Sequence, residues 1–341
     1  MKRFKAAHSS FVHRSSNEGM PAAPFRSVRR AFLLLALLIH SLFLSPSGVL
    51  AQHPAINAAA PETVGKEINA IAGLSDGKVS SGSRLFILAV GINEYKNPKM
   101  RLRFGRSDAE AFVQTVEQHG KKIFHQIEKL TIYDSHAVRS TIEDAFGRIS
   151  SEVRPEDVFV FYYAGHGVMS RGDAAKKAEF YMALSDVTRL SGDHGMLEEK
   201  GLSARLLREL SSKVKARKQL LVLDACHSGG ALDNFSLGAS TEGKAVHQMT
   251  KGLDITVLAA AGASQSATEF RQLGHGVFTF ALMKGLAGEA DSGLSSDGTI
   301  TVKELVAYLN TKVPEITRQY KGAAQNPNSF ARGEDFPLSA R

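Results

Sequence analysis

"QLLVLDACHSGG", residues 219–230, is an apolar run that closes on the only cysteine of the chain, Cys226. Leu220, Leu221, Val222 and Leu223 form an unbroken apolar block. Such a block suits a strand buried on both faces of a parallel sheet, where alternation is lost. Gly229 and Gly230 break the run. Cys226 is therefore expected just past the C-terminal end of a central strand, the edge at which open α/β sheets bind ligands. A lone cysteine is also compatible with a small buried hydrophobe, so the position needs a partner before it reads as chemistry.

The partner lies upstream. "DVFVFYYAGHGV", residues 157–168, has the same design, an apolar β-rich run that ends in Gly165-His166-Gly167. If the two strands are neighbours, thiol and imidazole face one crevice. A free thiol has a pKa of about 8.5, and a nearby imidazole can take its proton or hold it as the reactive thiolate. The flanking glycines are expected to let substrate backbone come close. The backbone N–H groups of Gly167 and Cys226 are expected to hold the oxyanion. Two other histidines are weaker candidates for the base. His227 follows Cys226 directly, and adjacent side chains on an extended chain point apart. His275, in "LGHGVF", repeats the Gly-His-Gly pattern but precedes a helix instead of ending a strand.

Around these two stretches the pattern is regular. "RLFILAVGIN", "HQIEKLTIYD" and "DITVLAAAG" read as further strands, and "AVRSTIEDAFGRISSEV", "LSARLLRELSSKV", "GVFTFALMKGLAG" and "TVKELVAYLNTKV" as helices. "SDAEAFVQTVEQHG" is expected to be a helix opening on a cap-type Ser107 and ending at Gly120. Strands alternating with helices predict an α/β fold with a mostly parallel sheet and helices on both faces.

With these residues in place the sequence resembles the caspase-like cysteine peptidases, which include caspases, metacaspases and bacterial relatives. The resemblance rests on "VFVFYYAGHG" and "LLVLDACHSGG" in the order His then Cys, sixty residues apart, and runs from about Arg84 to Pro327. It implies a caspase-like three-layer sandwich and peptide-bond hydrolysis. It also implies specificity. Asp224-Ala225-Cys226 stands where caspases have Gln-Ala-Cys, whereas metacaspases carry an acid there, in the pocket for the residue before the cut. A second metacaspase acid matches Asp108 in "GRSDAEAF". Two carboxylates in a narrow cleft attract a cation and repel an acidic side chain, so cleavage after Arg or Lys is expected. The blander alternatives are helix capping or an N-terminal dipole contact for Asp108 and a hydrogen bond to nearby backbone for Asp224. Ala164 departs from the serine that metacaspases often carry two residues before the histidine.

The net charge of +8 is concentrated at the N-terminus: residues 1–30 hold seven basic residues and one acid and account for +6 of it, leaving +2 for the rest. No basic patch asks for nucleic acid. The basic region precedes "AFLLLALLIHSLFL" and the small-residue stretch "VLAQ". That order is expected of a signal peptide over residues 1–51, cleaved after Ala51, with Met20 a candidate start. An uncleaved anchor is the rival, but the apolar core is shorter than the roughly 20 residues a spanning helix needs. The reading predicts an exported protein, periplasmic or extracellular, not held in a membrane after cleavage. Residues 52–82 are then a linker, 83–330 the peptidase domain and 331–341 a C-terminal tail. A single cysteine excludes an intramolecular disulfide.

"SGLSSDGTITVKEL", residues 292–305, resembles half of an EF-hand loop. With Gly298 at the loop glycine, Asp297 and Glu304 fall on ligand positions, but the first position is Gly293, which has no carboxylate. A turn at Asp297-Gly298 and a capping box from Thr301 to Glu304 is the expected reading. No metal site and no organic cofactor are therefore expected; the resemblance alone raises calcium activation. The segment 229–254 is expected to be an exposed loop, and Lys244 and Lys251 within it are candidate self-cleavage positions. The expected function is an exported cysteine endopeptidase acting on proteins or peptides with basic residues. The alternative is a catalytically silent caspase-like scaffold, which would need neither His166 nor Cys226.

Overall fold

The computed structural model describes residues 79–171, 178–190, 194–232, 254–262, 265, 267, 269–292 and 296–341. The signal segment, most of the linker, and Lys244 and Lys251 lie outside the described residues.

Strand β1 (Arg84–Gly91) leads into α1 (Gly105–Gly120), β2 (Gln126–Tyr133), α2 (Arg139–Glu152) and β3 (Val158–Ala164). A small antiparallel sheet follows, of β4 (Gly167–Met169), β5 (Phe180–Met182) and β6 (Leu202–Ser203), with α3 (His194–Lys200) preceding β6. Next come α4 (Ala204–Lys213), β7 (Lys218–Asp224), β8 (Asp254–Ala259) and a short hairpin, β9 (Glu269–Phe270) and β10 (His275–Gly276). The chain closes with α5 (Val277–Lys284), β11 (Thr299–Thr301), α6 (Val302–Lys321), β12 (Asn328–Arg332) and β13 (Pro337–Ala340). The main sheet runs in the order β12-β8-β7-β3-β1-β2. Four of its five pairings are parallel and join β2, β1, β3, β7 and β8, and β12 alone runs antiparallel, at the edge.

The unbroken apolar runs are buried on both sides, as expected of parallel strands between helix layers. Successive residues of β1 feed opposite cores. Phe86, Leu88 and Val90 pack with Ile142, Phe146 and Ile149 of α2 and Leu207 and Leu210 of α4. Leu85, Ile87 and Ala89 pack with Phe112 and Val116 of α1, Phe278 and Leu282 of α5 and Leu305 of α6. Each large side chain removed from water contributes about 1.5–3 kcal/mol. The expected three-layer α/β sandwich is thus present.

The N-terminal edge of the sheet is clamped by the fully buried Asp157. Its carboxylate accepts from the Arg84 backbone N–H (2.9 Å), the Arg84 guanidinium (2.7 Å) and the Arg154 backbone N–H (2.9 Å). Burial pushes the Asp157 carboxyl up, but hydrogen bonds from Arg84 and Arg154 outweigh it and hold the group at about 2.

Two boundaries differ from the sequence reading. Helix α1 begins at Gly105, and Ser107 lies inside it, its hydroxyl donating to the Phe104 carbonyl (3.0 Å) instead of capping. The cap comes from outside the helix: Asn93 Oδ1, from the preceding loop, accepts from the Arg106 N–H (3.0 Å). Residues 331–341, read as a tail, include the end of β12 and all of β13, with Phe336 and Leu338 buried. At 292–305 the capping box forms: Glu304 N–H donates to Thr301 Oγ1 (3.3 Å) and Thr301 N–H to Glu304 Oε2 (2.9 Å). Gly298 supplies the turn, with φ of +84°. Among the described residues no three histidine, cysteine, aspartate or glutamate side chains cluster as metal ligands. Among them, too, no helix is long and apolar enough to cross a membrane.

Candidate active site

Strands β3 and β7 are neighbours, and their ladder ends with Ala164 opposite Asp224. His166 and Cys226 each follow that pair by two residues. Both lie at the C-terminal edge of the sheet and both are half-buried, in contrast to the fully buried strands that lead to them. The condition on which the sequence pairing depended, adjacency of the two strands, is met.

The His166 imidazole is anchored on one side. Its Nε2 lies 2.8 Å from the Met100 carbonyl oxygen. A carbonyl only accepts, so Nε2 carries the hydrogen and Nδ1 of the neutral ring is left with its lone pair. The Tyr95 ring sits against the imidazole, centroids 5.0 Å apart, and the Tyr95 hydroxyl accepts from the His166 backbone N–H (2.8 Å). The Tyr163 hydroxyl shares its one hydrogen between the His166 carbonyl (2.9 Å) and the Ala183 carbonyl (2.8 Å). Burial pushes the Tyr95 and Tyr163 phenols well above their ordinary range, so both remain donors.

The two glycines beside His166 have a tighter purpose than admitting substrate. A Cβ on Gly165 would meet the Tyr163 hydroxyl at 2.5 Å and the Tyr95 hydroxyl at 2.8 Å. A Cβ on Gly167 would overlap the Cys226 carbonyl oxygen and meet the Ala225 Cβ at 3.0 Å. The absent side chains let the histidine and cysteine segments touch. Gly167 is also the first residue of β4, opposite Met182. The ladder bonds on either side run from Ala183 N–H to His166 O (2.9 Å) and from Ser170 N–H to Glu179 O (2.8 Å). Antiparallel ladders alternate bonded and non-bonded pairs, so Gly167 occupies a non-bonded position and its N–H points away from β5.

After Cys226 the chain turns sharply. His227 has a left-handed backbone, φ of +57°, unusual for a residue with a side chain. Its N–H donates to the Gln265 carbonyl (2.8 Å), which orients the turn.

Asp108, in the first turn of α1, and Asp224, at the end of β7, are both buried, at 3% and 8% exposure. They converge on one backbone point: a Cβ on Gly276 would lie 3.1 Å from Asp108 Oδ2 and 3.2 Å from Asp224 Oδ2. Both acids contact the junction of β10 with α5. Asp108 accepts from the Gly276 N–H (3.1 Å) and lies 2.6 Å from His275 Nδ1, contacts beyond its own helix. Asp224 accepts from the Thr279 hydroxyl (2.6 Å), and Tyr162, 2.5 Å from Thr279, donates in turn. Burial, then the charges of Asp224 and Asp108, push the Tyr162 phenol well up, so it stays protonated.

Sequence reasoning missed Met100, Tyr95 and Thr279. Met100 acts through a carbonyl that every residue type has, so no signal existed. His275 was considered only as a base; its proximity to Asp108, 167 residues earlier, was not legible.

A parallel sheet of this order, sandwiched between helix layers with a histidine and a cysteine at adjacent strand ends, defines a caspase-like α/β protein. The model of the peptidase C14 family, the caspase domain, matches residues 84–334, and the chain belongs to that family. The family-level activity is that of a cysteine peptidase. Metacaspase-2 and metacaspase-3 of Trypanosoma brucei brucei are each 25% identical over 159 residues, 45% of this chain and 44% and 42% of theirs. The chain therefore spans less than half the length of these curated relatives. A crystal structure of a Geobacter sulfurreducens protein matches with a TM-score of 0.51 at 19% identity, covering 74% of this chain and 94% of that one.

Proposed function

We propose that the protein is an exported cysteine endopeptidase that cleaves after Arg or Lys, with Cys226 as nucleophile and His166 as acid/base. The observation that supports this reading is the register of Ala164 with Asp224, because His166 and Cys226 each follow that pair by two residues at the C-terminal edge of the sheet. His166 Nδ1 takes the thiol proton and Cys226 Sγ attacks the peptide carbonyl. The oxyanion receives hydrogen bonds from the N–H groups of Gly167 and Cys226; one such donor is commonly worth about 10²–10³ in rate. His166 returns the proton to the leaving amine, and a thioester remains on Cys226. Water then attacks the thioester, giving its proton to Nδ1, and the acid leaves as the thiol re-forms. Asp108 and Asp224 hold the basic side chain before the cut. Nucleophile, base and donors are all residues of this chain, so the steps call on no organic cofactor.

The reading is tested with purified protein on fluorogenic peptides ending in Arg, Lys, Asp or a neutral residue. Turnover of the basic peptides by the wild type, absent in Cys226→Ala, supports it. Failure on every peptide under conditions where the protein is folded favours the silent scaffold. For export, N-terminal sequencing of the protein from a periplasmic or culture fraction should begin at Gln52.

A further inference from the structure

We propose that His275 is a positioning residue of the acidic pocket, holding Asp108 beside Asp224 so that both carboxylates meet a basic side chain. The inference rests on the pocket reading of those two acids.

The geometry sets a problem that His275 answers. Two carboxylates buried to 3% and 8% exposure converge on the backbone of Gly276. Like charges that close disfavour each other, so one acid tends to take up a proton or swing away. Either outcome halves the charge offered to a substrate cation. Hydrogen bonds donated to a carboxylate favour its ionised form and fix its direction. Asp108 receives them from the Gly276 N–H at Oδ2 (3.1 Å) and from His275 Nδ1 at Oδ1 (2.6 Å). Asp224 receives one from Thr279 (2.6 Å). His275, Gly276 and Thr279 belong to one short stretch, the junction of β10 with α5. A single local segment therefore orients acids from two distant parts of the chain. The His275 side chain is 25% exposed, against 4% for the Asp108 side chain. The imidazole thus stands on the solvent side of the carboxylate. It does not touch the reacting bond in this assignment; it acts through Asp108.

The test compares His275→Ala and His275→Asn with the wild type on peptides ending in Arg, Lys and the neutral Arg analogue citrulline. The amide nitrogen of Asn takes about the place of Nδ1 and can donate to Asp108. For His275→Ala, KM on the basic peptides should rise on the order of tenfold, the effect of losing one charge-assisted hydrogen bond, with kcat changing far less. The preference for Arg over citrulline should fall in proportion. His275→Asn should recover the preference to within about threefold of wild type. Preference left intact in His275→Ala overturns the proposal. So does an equal loss on basic and neutral peptides, or an Asn variant as impaired as Ala while folded by thermal melt. A wild type with no preference for Arg over citrulline removes the pocket reading itself, and that result is read before any variant is made.

Discussion

The Met100 carbonyl oxygen and the His166 Nε2 are 2.8 Å apart, and this contact assigns the imidazole its tautomer. In the proposed mechanism Nδ1 is then the base for Cys226. Cys226→Ala and His166→Ala should each lower kcat/KM by several orders of magnitude while leaving the thermal melt near that of the wild type. Steady-state kinetics on an Arg-ended peptide decides it. Substantial turnover by Cys226→Ala would end the mechanism. An active His166→Ala beside a dead His227→Ala would move the base.

Specificity depends on Asp224 and on the hydroxyl that holds it. Asp224→Asn should weaken cleavage after Arg by about tenfold or more, since a charge-assisted contact is lost. Thr279→Val should act in the same direction and also lower stability by about 1–3 kcal/mol, because Asp224 and Tyr162 both lose a buried partner. Thr279→Ser keeps the hydroxyl and should restore both. A peptide-library profile showing preference for Asp before the cut would contradict the assignment of the two acids.

Gly167 has no room for a methyl group. Gly167→Ala would force the β4 entry away from the Cys226 carbonyl and the Phe180 ring, which lies 2.8 Å from the added Cβ. A shift of about 1 Å at a catalytic group can cost on the order of 100-fold. The variant is expected to lose about that much in kcat and to melt lower. Wild-type kinetics in Gly167→Ala would show that the segment does not set the site.

The Asp157 clamp makes a pH-dependent contribution at the opposite edge of the sheet. Its folded value, about 2, lies below the ordinary 3.8. The stabilisation is therefore fully present above about pH 4 and is lost as the pH falls through about 2. It amounts to on the order of 2 kcal/mol. Chemical denaturation of Asp157→Asn against wild type should give a difference of at least that size at pH 7, shrinking toward pH 2. The same difference at both values would refute the assignment.

The segment after the cysteine carries Lys244 and Lys251. If the enzyme processes itself after either lysine, intact-mass analysis should show fragments ending there in the wild type and only full-length chain in Cys226→Ala. Cleavage that persists in Cys226→Ala would point to another protease. An uncut, fully active wild type would remove processing from the mechanism.

The strands and most helices were legible in the sequence because their signals are local. Unbroken apolar runs such as Val158–Tyr163 and Leu220–Leu223 mark two-sided burial, and glycines mark where each run stops. The same runs delivered His166 and Cys226 to strand ends, and the Asp-Ala-Cys and Gly-His-Gly stretches carried the family resemblance. Boundaries were less secure where a distant group decided them. Helix α1 starts at Gly105, where Asn93, thirteen residues before Arg106 in the preceding loop, caps it, and 331–341 joins the fold by pairing β12 with β8 and β13 with β11.

The arrangement of the site belonged to the tertiary structure alone. Which strands are neighbours follows from how the helix layers bury both faces of the sheet, and no spacing along the chain encodes it. A backbone carbonyl looks the same at every residue, so nothing in the letters marked Met100 as the support of His166. The approach of His275 to Asp108 spans 167 positions and exists only because the hairpin before α5 packs against the start of α1. Residue types and local periodicity thus determined what chemistry was available, and packing over long sequence separations decided which groups meet.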